Sequence, residues 1–168
     1  MPKDHLLDVI LNDPARLKAV QASKLLDSPQ EEIFDRVTST ICKRLNVPIS
    51  LVTIIAPERQ FFKSGIGLIP DILLKRETPI KDSTCQYVVR KGSLVKINDV
   101  SRDPFFHLHE GLKGINAGSY LGTPLWLFNQ AIGSVCAVDF IPRHWSEEQV
   151  SFLEDQAQFL SNEVSLRA

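Results

Sequence analysis

Cys85 is the residue of this sequence best placed to do chemistry. It ends the stretch Lys81-Asp82-Ser83-Thr84-Cys85, where Asp82 or Ser83 can cap a predicted helix, STCQYVVRK, that closes at Gly92 with Arg90 and Lys91 in its last turn. A thiol in the first turn of a helix meets free backbone amides and the positive end of the dipole. With Lys81 adding to this, a depressed pKa and a redox-sensing role are open to Cys85. The alternative is a small side chain that packs the helix onto a sheet. Cys42 follows Ile41 on a core-facing helix and Cys136 lies mid-strand, so both read as core. The three cysteines are widely separated and lack a CxxC pair, which favours neither a disulfide framework nor a zinc site. His107-x-His109, with Glu110 or Asp103 as a third ligand, could begin a metal site. No remote cysteine pair supports it, and the histidines read as surface groups of a loop. There is no G-x-S-x-G, HExxH or Walker pattern, and the GIG of residues 65–67 is a turn with no suitable helix after it.

The elements that position these residues centre on residues 119–140, SYLGTPLWLF-NQ-AIGSVCAVDF. Two runs rich in aromatic and β-branched residues flank Asn129-Gln130, which reads as a β-hairpin with a two-residue turn or a four-residue loop. In its second strand Ile132, Cys136, Val138 and Phe140 share one face, and Ala131, Gly133, Val135 and Ala137 the other. Neither face is written for water, so both must be covered. Gly122 and Pro124 predict a bend or bulge in the first strand.

Upstream, Asp13-Pro14 opens a short helix carrying Leu17, Val20 and Leu25. Ser28-Pro29-Gln30-Glu31 fits a capping box for a second helix, whose Ile33, Val37, Ile41 and Leu45 recur every four residues. Residues 47–55 and 58–64 read as a strand pair, and residues 94–97 as a short strand. Residues 98–118 form a connection long enough to be functional, and Phe105 and Phe106 argue against disorder, so a partly helical flap is expected. Ser146-Glu147-Glu148-Gln149 is a capping box for a helix running to the end of the sequence. That helix carries two apolar stripes, one of Val150, Leu153, Ala157, Leu160 and Val164 and one of Phe152, Phe159 and Leu166.

With 168 residues, 43% hydrophobic content and a net charge of -1, the chain is long enough for one globular domain and has no basic excess for nucleic acid. Lys75-Arg76, Lys81 and Arg90-Lys91 are scattered and read as a solvated face. No run approaches the roughly 18 apolar residues of a membrane helix, and the start, MPKDHLLDVILNDP, lacks a cleavage pattern, so a cytoplasmic protein is expected.

The order and spacing of these pieces resemble a GAF domain of the bacterial signalling type. The resemblance runs through Leu26-Asp27-Ser28-Pro29 with Glu31, Phe34 and Asp35, then Arg59-Gln60-Phe61-Phe62-Lys63-Ser64 with Gly67, and Glu77-Thr78-Pro79. It continues through Ser83-Thr84-Cys85, Asp103-Pro104-Phe105, Tyr120 with Gly122 and Pro124-Leu125, Gly133-Ser134-Val135-Cys136-Ala137-Val138-Asp139, and Pro142-Arg143 leading into Trp145-Ser146. It implies an α+β, PAS-like fold: a central antiparallel β-sheet, helices packed on one face and a loop and helix flap over a small-molecule pocket on the other. Residues 1–12 would be an N-terminal tail and 13–168 a single domain.

The family is a scaffold and does not name the ligand. Cyclic nucleotide is disfavoured, because Phe152-Leu153-Glu154-Asp155 is followed by Gln156 where the signature of such relatives ends in Glu. Covalent bilin is disfavoured too, because Cys85 is followed by Gln86 and Tyr87 and the flap has no cysteine. Cys42 does not fit the cysteine cluster of relatives that reduce free methionine sulfoxide, and no metal is expected. The reading is therefore a non-catalytic small-molecule-sensing domain, with a thiol-based sensor or reductase at Cys85, or a dimerisation module without ligand, as alternatives. The expected lining is Cys85, Tyr87, Asp99, Phe105, Tyr120 and Thr123, with capping of the flap's first turn as the equal alternative for Asp99. The second stripe of the last helix is expected to meet another subunit, or the first helix and the Leu6 to Leu11 segment.

Overall fold

A strand buried on both sides needs two covers, and the sheet of this protein has them. The computed structural model describes residues 9–168. Six antiparallel strands, β1 (Ile49–Ile55), β2 (Arg59–Ile66), β3 (Glu77–Pro79), β4 (Val95–Ile97), β5 (Ser119–Leu127) and β6 (Gln130–Asp139), lie in the order β3-β2-β1-β6-β5-β4. The back face is covered by α1 (Pro14–Ser23), α2 (Glu32–Leu45) and α6 (Glu147–Arg167). The front carries α3 (Pro70–Lys75), α4 (Cys85–Lys91) and α5 (Glu110–Gly114), with short 3-10 turns between them. Among the described residues no helix is long and apolar enough to cross a membrane.

Two β-bulges decide which residues reach which face. Between Val52 and Thr53 the register shifts so that Lys63 of β2 is the extra residue, since Val52 pairs with Ser64 and Thr53 with Phe62. Between Leu125 and Trp126 the extra residue is Ile132, because Leu125 pairs with Gly133 and Trp126 with Ala131. This corrects the strict alternation expected for β6. Ile132 joins Val135 and Ala137 in the back core, while Ala131 joins Cys136 and Val138 in front. The hairpin turn also sits one residue earlier than expected, at Phe128-Asn129. Both residues have positive φ, 52° and 60°, as a type I′ turn demands. Pro124 interrupts nothing: β4 ends opposite Gly122, so the missing N–H falls on an edge without a ladder partner. Two residues on, the Trp126 N–H donates to Ser161 Oγ of α6 at 3.0 Å.

The expected capping box of α2 is also redrawn. Glu31 is the N-cap but makes no side-chain cap bond, and residues 28–31 instead enclose Lys63. The Lys63 ammonium, fully buried, donates to Ser28 Oγ (2.8 Å) and to the Pro29 carbonyl, and it pairs with the Glu31 carboxylate at 2.6 Å. Arg167, at the end of α6, pairs with the other Glu31 oxygen at 2.7 Å. A buried ammonium costs several kcal/mol unless paired, so this demand outweighs the roughly 1 kcal/mol of a helix cap. The caps expected for α1 and α6 form as written: Asp13 accepts from the Arg16 N–H, and Ser146 and Gln149 make the reciprocal capping box of α6.

Leu153, Ala157, Leu160 and Val164 of α6 are buried, whereas Phe159 is 51% and Leu166 85% exposed. Phe152 is half-buried beneath the Arg44 guanidinium. Residues 9–11 are helical and Leu11 is buried in the front cluster, not against α6. The remainder of the expected tail, with Leu6, lies outside the described residues.

Candidate functional site

The front face is not packed solid. A cavity of about 320 Å³ lies between the sheet, α3, the start of α4 and α5. Leu51, Phe62 and Val138 form its apolar floor, and Leu68, Ile72, Leu112 and Ile115 its apolar sides. Polar groups enter at Gln60, Thr78, Thr84 and Tyr120, and the carboxyl residues Asp82 and Glu110 stand on the wall. α5 comes this close because Gly111 has no side chain, as a Cβ there would overlap the Asp82 carbonyl oxygen.

A seam of hydrogen bonds holds the start of α4 to the sheet. Ser83 Oγ donates to Gln60 Oε1 (2.7 Å) and accepts from the Gln86 N–H (3.0 Å), while Gln60 Nε2 donates to Thr78 Oγ1 (3.1 Å). Of the two capping residues proposed for this helix, Ser83 is the one that bonds its amides. Gln86 Nε2 donates to the carbonyls of Ile80 and Ser83, and its Oε1 accepts from Arg90. Gly92 ends the helix in the left-handed conformation, as expected.

Beneath α4, Cys85 meets the sheet. The Tyr120 ring lies across Gly122, where a Cβ would come within 2.5 Å of the phenol oxygen, and that oxygen is 3.1 Å from Cys85 Sγ. Cys136 Sγ is 3.8 Å from Cys85 Sγ. The hydroxyls of Thr53 and Ser134 are buried nearby with no hydrogen-bond partner of their own. Together these groups pull the Cys85 thiol down to about 7, the Cys136 thiol contributing most, against the burial that opposes it, with Tyr120, Ser134 and Thr53 adding to the pull. The pull comes from a ring of donors, and Lys81 has no part in it. The competing Cys136 thiol is pushed well above its usual range by its bond to Cys85 and by burial, and Tyr120 is raised by burial and by both cysteines.

The flap folds over the neighbouring surface. Asp103 caps its turn, accepting from the N–H groups of Phe105 and Phe106, and Tyr87 packs edge-on against Phe105, Phe106 and His109 with ring centroids 5.2, 5.5 and 5.6 Å apart. The two histidines do different things. His107 is exposed on the Asp103 carbonyl, whereas His109 is 8% exposed, its Nε2 is unpartnered and burial lowers its pKa. His109 is therefore a buried ring whose charged form burial disfavours, and not the surface histidine expected.

Of the six residues expected to line the pocket, Cys85 and Tyr120 do. Tyr87 is turned to the flap aromatics, and Phe105 packs on it at the edge of an adjoining surface depression. Asp99 caps its own turn, accepting from the N–H and hydroxyl of Ser101, which was the alternative reading. Thr123 is buried but faces the back, since residues three apart on one strand point to opposite sides and Tyr120 points forward. The same period-two rule, applied to β2, could have found Gln60 and Phe62. Asp82, Glu110 and Ile115 had no such signal, because their position depends on how the flap folds back.

A family model described as GAF domain matches residues 29–164. A cyclic di-GMP phosphodiesterase of Pseudomonas aeruginosa is 30% identical over 152 residues, which cover 89% of this chain and 25% of that protein. This chain thus spans about a quarter of the length of that relative. Among solved structures, the GAF domain of a phosphoenolpyruvate-protein phosphotransferase from Coxiella burnetii superposes with a TM-score of 0.69 at 17% identity, over 92% of this chain and 95% of that one. The free methionine-R-sulfoxide reductase of Neisseria meningitidis, solved with its substrate, gives 0.64 at 14% identity, over 90% of each. At these identities the structural likeness is one of fold.

Proposed function

The chain belongs to the GAF domain family, and from that premise we propose that it is a sensory domain of a signalling protein that binds a small molecule in the front cavity. The observation that carries this reading is the cavity itself: about 320 Å³, at the small end of ligand sites, with apolar walls and a few fixed polar groups. Its chemistry favours a ligand with an apolar body against Phe62, Ile72 and Ile115. A hydrogen-bond-donating or cationic end would lie toward Asp82 and Glu110. Binding would order α5 and the flap against α4, and the change would pass to whatever the domain regulates.

The relative that shares 30% identity is named a phosphodiesterase, and a regulatory segment of a protein of that kind suits a chain matching only a quarter of it. Mass spectrometry of the intact protein tests the reading. The native protein should carry a small-molecule excess that denaturation removes and that Ile115→Trp, which fills the cavity, abolishes. A native mass equal to the bare chain, unchanged on adding a metabolite extract, counts against it.

A second reading rests on a different observation. Phe159 and Leu166 leave an apolar stripe on α6 uncovered. We infer a homodimer through this helix, formed alongside ligand binding, the symmetric pair being the commonest oligomer.

A further inference from the structure

We propose that Cys85 and Cys136 form a redox-responsive dithiol that closes to a disulfide when a hydroperoxide enters the front cavity. Four observations carry it. The sulfurs are 3.8 Å apart, and each belongs to a different element, Cys85 to α4 and Cys136 to the centre of β6. Both thiols are buried, but only Cys85, 2% exposed, lines the cavity from which a small oxidant can approach, and Cys136 lies behind it. The Tyr120, Thr53 and Ser134 hydroxyls ring the Cys85 sulfur, and the last two have no other partner, so their protons are free to stabilise a thiolate. Bond formation needs the sulfurs to close to about 2.05 Å. Ser83 anchors the turn before it, but Cys85 stands beside an open cavity, so side-chain rotation with a small shift of the first turn of α4 can close the gap.

The steps balance. The Cys85 thiolate attacks one oxygen of the hydroperoxide, breaking the O–O bond. The second oxygen leaves with a proton as water or an alcohol, and Cys85 becomes a sulfenic acid. The Cys136 thiol then attacks that sulfur, and its proton leaves with the hydroxyl as water. Two thiols are oxidised and one peroxide is reduced. A cellular dithiol restores the pair by exchange.

The ionisable groups facing Cys85 are Cys136 of β6 and Tyr120 of β5, and Asp82 and Glu110 share the cavity wall. Ionisation therefore begins at Cys85, whose thiol is pulled to about 7 while its two neighbours are pushed up. Cys42 is an internal control: half-buried on α2 behind the sheet, its thiol is raised by burial. The inference stands whether or not the cavity also takes a ligand.

Hydrogen peroxide is added to the folded protein at neutral pH, remaining thiols are alkylated after denaturation, and peptides are mapped. Free thiols are expected to fall from three to one, with a Cys85–Cys136 linked peptide, Cys42 alkylated, and full recovery on reduction. In Cys136→Ala the reaction should stop at a Cys85 sulfenate that dimedone traps. Oxidation of Cys42 with Cys85 and Cys136 intact overturns the proposal. So does over-oxidation of wild-type Cys85 to sulfinate without a link. The wild-type map decides even if the Cys136 variant does not fold.

Discussion

The two faces of one sheet differ in how completely they satisfy their buried polar groups. At the back edge, Lys63 is fully enclosed yet satisfied by Ser28 Oγ, the Pro29 carbonyl and the Glu31 carboxylate, with Arg167 holding the second oxygen of that carboxylate. At the front, Thr53 Oγ1, Ser134 Oγ and His109 Nε2 are buried without partners, beside or near an open cavity. A buried polar group left unpaired costs on the order of 1–3 kcal/mol. The back pairs its polar groups to hold the fold together, while the front, beyond the Ser83–Gln60–Thr78 seam, leaves these three available. This contrast is what sets the front apart as the site.

Five substitutions sharpen or break that comparison. The largest effect belongs to the back core. Leu160→Ala, at a fully buried position of α6, should lower stability by about 2–5 kcal/mol in urea unfolding and leave the alkylation profile of Cys85 unchanged. A change in that profile would mean the two faces are not independent.

Next comes the Lys63 network. Glu31→Gln should cost about 1–3 kcal/mol at neutral pH, since Lys63 keeps two oxygen partners but loses its counter-charge. The bond to Lys63, with Arg167 adding to it, holds the Glu31 pKa below its ordinary 4.5 against burial. Its contribution is therefore complete above 4.5 and lost as the pH falls through the lower folded value. The gap between wild type and Glu31→Gln should shrink on acidification below 4.5, and a gap that widens would contradict the assignment.

At the front the order of effects reverses. Thr53→Val or Ser134→Ala removes an unpartnered hydroxyl, so stability should hold or rise, by at most about 1–3 kcal/mol, and not fall. The pH midpoint of Cys85 alkylation should nonetheless rise from about 7 toward the ordinary 9.0, because a donor to the thiolate is gone. A midpoint that stays put would remove these hydroxyls from the ring around Cys85. The smallest effect on stability belongs to α6's outer side. Phe159→Glu should fall within about 0.5 kcal/mol of wild type. In light scattering it should convert the dimer to monomer, and a wild type that is already monomeric at tens of micromolar protein would refute the dimer.

The helices and strands were legible because their signals are local. Asp13-Pro14, Ser146 with Gln149, and Gly92 each act within one turn of their own position. The flap's existence was legible from the length of residues 98–118 and its two phenylalanines. What failed was non-local. Ser28 and Glu31 spell a capping box, but a lysine over thirty positions away takes both. Each bulge shifts one residue, and no single-strand pattern announces it. At the site, Cys85 and Tyr120 were found because each is unusual in its own element. The Cys85–Cys136 proximity was not, because it depends on where α4 crosses β6. Thr123 was misassigned although the strand period alone puts it behind the sheet.

The account turns on the front cavity being a ligand site and not a packing defect. A thermal-shift panel of small cationic, neutral and anionic compounds, run in parallel on wild type and Ile115→Trp, tests this most directly. The account predicts that at least one compound, with an apolar body and a cationic or donor end, raises the melting temperature of wild type in a concentration-dependent way and leaves Ile115→Trp unmoved. Compounds that shift both proteins equally, or a panel that shifts neither, would contradict it.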